Sequence, residues 1–135
     1  MKVSSEFNVT KWNETKCGES ENNMSICKVS AVFETLGEIA GKFEVEYLMH
    51  YTHYNEANPH NSSATYLGYM IFTGSINGKS GSFVLEDKGT YSSAGPMSIS
   101  AIKPNTGTGD FKDISGTAKQ FAEGGKMIIE IEYSI

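Results

Sequence analysis

The chain has 135 residues, enough for one domain with a sizeable core. Hydrophobic content of 39% and charged content of 20% mark a globular protein and exclude a disordered one. A net charge of −5, no arginine and singly scattered lysines argue against nucleic-acid binding and against bidentate clamps for carboxylate or phosphate.

Period-2 patterning dominates from the start, and no segment of ten or more residues carries a helical period. Val3 to Trp12 reads as a first strand, with Phe7 and Val9 on one face. Asn13 to Asn23 is polar and reads as a loop. Met24 to Thr35 is a second strand, and Gly37 marks a turn. Glu38 to Thr52 is a third strand. Its odd positions are Ile39, Gly41, Phe43, Val45, Tyr47, Met49 and Tyr51, and its even positions include Lys42, Glu44, Glu46 and His50. The segment His53 to Ser63 is the longest loop.

Thr65 to Tyr91 is the strongest signal in the chain. Asn77-Gly78 is the preferred pair for a type I′ turn, because both central residues need φ > 0. A two-residue turn fixes the register, so cross-strand pairs can be written from the sequence. Phe72 faces Phe83, Met70 faces Leu85, and Gly74 faces Gly81. On the other face Ile71 meets Val84, Tyr69 meets Glu86, and Leu67 meets Lys88. Met97 to Lys103 then forms a sixth strand and PNTGTGD a tight connection. Ser115 to Phe121 is a seventh strand. Glu123-Gly124-Gly125 turns the chain into Met127 to Ser134, the eighth, with Met127, Ile129, Ile131 and Tyr133 inward.

The expected architecture is therefore all-β: one domain over residues 1–135, an eight-stranded antiparallel barrel closed so that no sheet edge is left. Barrels of eight strands have interiors filled by side chains or wide enough for one small ligand. Gly41, Gly68, Gly74 and Gly81 on the presumed inner face relieve crowding there.

No apolar run of signal-peptide length opens the chain, and none approaches the ~18 residues of a membrane helix. A cytoplasmic location and no membrane partner are the expectation. Cys17 and Cys27 are expected as reduced thiols, since two cysteines make no disulfide framework. Four Asn-x-Ser/Thr sequons (Asn8, Asn13, Asn23, Asn61) are read as chance in an Asn- and Ser-rich chain.

Motifs that carry chemistry are sparse. Gly78-Lys79-Ser80 lacks the earlier glycine and the following helix of a phosphate loop. His50 and His53 leave their strand on opposite faces, so no metal is expected with His60. Glu46 and His50 share a face but lie roughly 13 Å apart, which rules out a hydrogen-bonded dyad. Glu46 reads as a solvated or interface carboxylate. There is no Gly-x-Ser-x-Gly elbow, and neither cysteine has a cationic activator nearby.

What remains is an inner face rich in Tyr, Met and Phe: Tyr47, Met49, Tyr51, Tyr66, Met70, Phe72, Phe83, Leu85 and Tyr133. These nine are the candidate cavity. Buried phenol hydroxyls need partners, so the tyrosines imply some polarity inside. Alternation leaves the interior to tyrosines and places no carboxylate there.

Four segments, FNVTKWNE, VEYLMHYT, FTGSINGKSGSFVLEDKGTY and GTGDFKDISGTA, run nearly end to end. Their order resembles a bacterial family of unknown function, the DUF3224-type domain. The resemblance implies a barrel of the allene oxide cyclase class, broadly lipocalin-like, and carries no activity. It also implies an acidic residue in the fourth strand, where this chain has Met70, while Glu46 fits the family pattern. Function is expected to be the binding of a small apolar or aromatic ligand without a cofactor. The alternatives are a cofactor-free isomerase or cyclase, and an oligomeric barrel with a filled core. Leu67, Tyr69, Ile71 and Val84 on one outer face point to a homo-oligomer, dimer or trimer.

Overall fold

A computed structural model of the chain describes residues 1–19 and 25–135. Eight strands follow one another: β1 (Lys2–Glu19), β2 (Ser25–Thr35), β3 (Ile39–His53), β4 (Ser63–Ile76), β5 (Lys79–Ser92), β6 (Gly95–Ile102), β7 (Ser115–Glu123) and β8 (Lys126–Ser134). Each pairs antiparallel with the next, and β8 returns to β1 through Lys2–Phe7 and Met127–Glu132, so the sheet closes on itself. Among the described residues there is no α-helix, hence none long and apolar enough to cross a membrane.

The β4–β5 hairpin has the expected register at all six pairs, from Leu67–Lys88 to Gly74–Gly81. Its turn residues take φ 50° at Asn77 and φ 83° at Gly78, as a type I′ turn demands. β1 differs from expectation. It continues through Asn13 to Glu19, where a loop was expected, because β2 supplies ladder partners as far as Glu19–Ser25. The end of the expected loop and the Met24 start of strand two lie outside the described residues. A register shift between Val9 and Lys11 inverts the alternation of β1. Phe7 and Val9 share the inner face before the shift; Trp12 and Glu14, opposite Ala31 and Val29, take it afterwards.

Inward residues fill one end of the barrel completely. Phe43, Phe72, Phe83, Ile39, Ile76 and Phe111 are fully buried there. Phe111 comes from the segment read as a tight connection. That segment instead lies along β5 and plugs the barrel. Ser80 N–H donates to Asp110 Oδ2 (2.9 Å), Ser82 N–H to Thr108 Oγ1 (3.0 Å) and Thr108 N–H to Ser82 O (2.8 Å). The Phe111 ring then stands edge-on to Phe83 at 5.3 Å.

Candidate functional site

Above the phenylalanine layer the interior turns polar, and two glycines explain how. Across the barrel wall, Tyr47 of β3, Gly68 of β4, Asp87 of β5 and Ser100 of β6 form one row. Gly68 has no side chain, so the Tyr47 ring reaches over β4. Its hydroxyl donates to Asp87 Oδ2 at 2.5 Å. From the other side Ser100 Oγ donates to Asp87 Oδ1 at 2.6 Å. Both carboxylate oxygens are engaged, and Asp87 is 1% exposed. The next row repeats the device one strand further on. Tyr66 of β4 is followed by Gly89 of β5, Ser98 of β6 and Gln120 of β7. A methyl group on Gly89 would lie 2.8 Å from Tyr66 Cζ, so the glycine is what seats that ring.

The two phenols pack together at 4.7 Å between ring centres. Burial pushes the Tyr47 phenol well above its ordinary range, and the Asp87 charge that accepts its proton pushes further. Burial and then the same carboxylate raise Tyr66. Both hydroxyls are held neutral. Gln120 Nε2 donates to Met70 Sδ at 3.1 Å, closing the network from below. Ser98 Oγ lies close enough to the Tyr66 phenol to oppose the rise in its pKa slightly, but it meets no partner at full hydrogen-bond geometry, alone among the buried side-chain oxygens of the described residues.

Over this polar layer lies a cavity of about 110 Å³. Tyr47, Tyr66, Met49 and Gln120 form its floor and inner wall, while Trp12, Tyr91 and Met127 stand among its outer residues. The wall is almost wholly carbon, because the phenol oxygens turn toward Asp87 and Ser98. At the mouth Glu14 accepts from Tyr51 Oη (3.0 Å) and from Trp12 Nε1 (3.2 Å), which fixes the indole beside the opening.

Of the nine expected cavity residues, Tyr47, Met49 and Tyr66 line this space. Met70 lies beneath it on Gln120. Phe72, Phe83 and Leu85 belong to the filled core, as does Tyr133 on β8. Tyr51 is half-buried, with its hydroxyl on Glu14 at the rim. The expectation that no carboxylate lies inside is overturned by Asp87. It sits two residues beyond Leu85 on the same strand, so alternation alone directs it inward. Gln120 was equally legible from the parity of β7. Glu46 lies on the outer face and accepts from Ser30 Oγ at 2.7 Å. Cys17 is exposed and Cys27 buried, both as free thiols.

Fold and site together define a closed antiparallel barrel with a plugged end, a buried carboxylate–phenol layer and a small apolar pocket at the open end. The chain belongs to the DUF3224 family of proteins of unknown function, whose profile matches residues 3–133. A crystal structure of a DUF3224 protein of unknown function from Shewanella oneidensis has the same fold. It shares 20% identity and a TM-score of 0.75 over 100% of this chain and 97% of that one. No curated protein matches the sequence.

Proposed function

We propose that the protein is a binding barrel for a compact apolar or aromatic molecule, about one ring in size, seated in the mouth pocket. The observation that carries this reading is the carbon-lined cavity of about 110 Å³. Apolar cavities of roughly 150 Å³ stay dry and take up benzene or xenon. Three tyrosines, Tyr47, Tyr66 and Tyr91, are among the lining residues, which favours an aromatic guest.

Trp12, the single tryptophan, sits at the pocket and reports on it directly. Titration with toluene or a small cycloalkane shifts its emission and saturates. Val9→Phe, which places a ring in the pocket wall, removes the response. An emission spectrum unchanged up to ligand solubility would leave the barrel as a filled, ligand-free scaffold.

The buried carboxylate favours a second reading, that of a cofactor-free isomerase or cyclase related to the allene oxide cyclase class. Asp87 does not line the pocket and the Tyr47 hydroxyl turns from it toward Asp87, so this reading needs the Tyr47 ring to swing its hydroxyl to the guest before a proton can pass. Exchange of a carbon-bound proton of a guest with heavy water, present in the wild type and lost in Tyr47→Phe, supports it. Equal exchange in both proteins removes it.

A further inference from the structure

The outer face of β4 carries a groove and a ridge side by side. The groove, about 760 Å³, is lined by Ile26, Leu48, Leu67, Met97 and Ile99 around Lys88. Leu67 and Ile99 are 55% and 70% exposed, a large unpaired apolar area for a surface. Two and four residues along β4 from Leu67 stand Tyr69 and Ile71, also exposed. Charge follows the same division. By register Lys88 lies in the row of Leu67, and Glu86 lies in the row of Tyr69. Lys88 makes no ion pair among the described residues, and Glu86 offers only Oε2 to Lys103, which leaves Oε1 free.

We propose that this face joins two copies of the chain about a two-fold axis that runs across the strands between the Leu67 and Tyr69 rows. A two-fold contact brings each residue i to residue j of the partner and each j to i. The stated axis sets Leu67 against the partner's Tyr69 and Lys88 against the partner's Glu86, each twice. It lowers the Tyr69–Ile71 ridge of each copy into the groove of the other. Two sheets packed this way lie face to face at about 10 Å with their strands nearly aligned. The occupant is a second copy because the surface matches itself: groove opposite ridge, cation opposite anion, on one strand. A copy bearing −5 overall gains nothing from unspecific approach, so the two lysine–glutamate contacts also set the register.

Sedimentation velocity over a concentration series up to roughly 500 μM tests the axis. The expected wild type is a dimer, twice 14.7 kDa. Lys88→Glu and Glu86→Lys each place like charges together twice and raise the dissociation constant about tenfold or more. The double variant swaps the charges and restores it to within about threefold. Ile71→Asp dissociates the dimer by removing the ridge. A wild-type far-ultraviolet circular dichroism spectrum and a cooperative melt confirm that each variant is folded, while its melting temperature falls by the amount that dimer formation contributes at that concentration. A wild type that stays monomeric overturns the proposal. So does a dimer insensitive to the single substitutions, or a swap that fails to restore association.

Discussion

Gly68→Ala tests whether the buried layer depends on one missing side chain. The new Cβ would sit 1.9 Å from the Glu46 carbonyl oxygen and 2.9 Å from Tyr47 Cα. Both obstacles are backbone of β3, so relief requires the two strands to part, and no side chain can swing away instead. Overpacking of this kind costs ~1–3 kcal/mol. Parting the strands also draws the Tyr47 hydroxyl off Asp87 and leaves buried polar groups short of a partner, a further ~1–3 kcal/mol. The sum, about 2–6 kcal/mol, lowers the melting temperature by roughly 8–24 °C for a domain of this size. Thermal denaturation followed by circular dichroism measures it. The same substitution on a Tyr47→Phe background isolates the hydrogen-bond share, which is absent there, so the two changes are coupled by about 1 kcal/mol or more. A melting temperature within about 3 °C of wild type would show that β3 and β4 do not need the glycine. Purely additive losses would show that Gly68 is not what lets Tyr47 cross.

Asp87→Ala strips the acceptor from both the Tyr47 and Ser100 hydroxyls and costs ~2–5 kcal/mol in urea unfolding; a loss below ~1 kcal/mol would mean the layer rearranges around the gap. Met70→Glu, in a position with no exposure, buries a carboxyl that stays neutral and costs a few kcal/mol at pH 7; an unchanged melting curve would reveal a hydrated interior. Alkaline stability follows from the raised phenols. Tyr47 and Tyr66 keep their protons in the folded chain and release them near pH 10 when unfolded, so the folded state binds more protons above that pH. Their contribution is complete below about pH 10 and declines as pH rises further, by ~1.4 kcal/mol per pH unit for each tyrosine. Urea midpoints measured from pH 9 to 11.5 show this fall, and Tyr47→Phe flattens it; a Tyr47→Phe slope equal to wild type contradicts the assignment.

The parts of the fold that were legible are those set by local chemistry. Asn77-Gly78 fixes a turn, the turn fixes a register, and the register places Met70 opposite Leu85 without further information. What escaped was set by neighbours far along the chain. β1 looked polar beyond Trp12, yet it remains extended because β2 pairs with it. Phe111 sits in a glycine-rich turn by sequence and in the core by packing, because the loop needed to cover the end of the barrel happens to carry it. The site falls between these cases. The inward direction of Asp87 follows from parity with Leu85, and Tyr66–Gly89 was already a readable cross-strand pair. That Tyr47 would reach Asp87 depends on three adjacent strands in register, of which only two belong to the hairpin.

The closure of β8 on β1 has a consequence for how the chain is made. Every other strand pairing joins sequence neighbours and can form as a meander while synthesis proceeds. The last one must bring Lys2–Phe7 together with Met127–Glu132, nearly the full length of the chain apart. Until that happens, the inner faces of Val3 and Phe7 on one side and of Ile129 and Ile131 on the other border two open ladders. Such edges can template strands from other molecules as well as their own partner. The seam is therefore a race between an intramolecular search and encounter with a second nascent chain. Its outcome turns on concentration and temperature more than on the stability of the finished barrel.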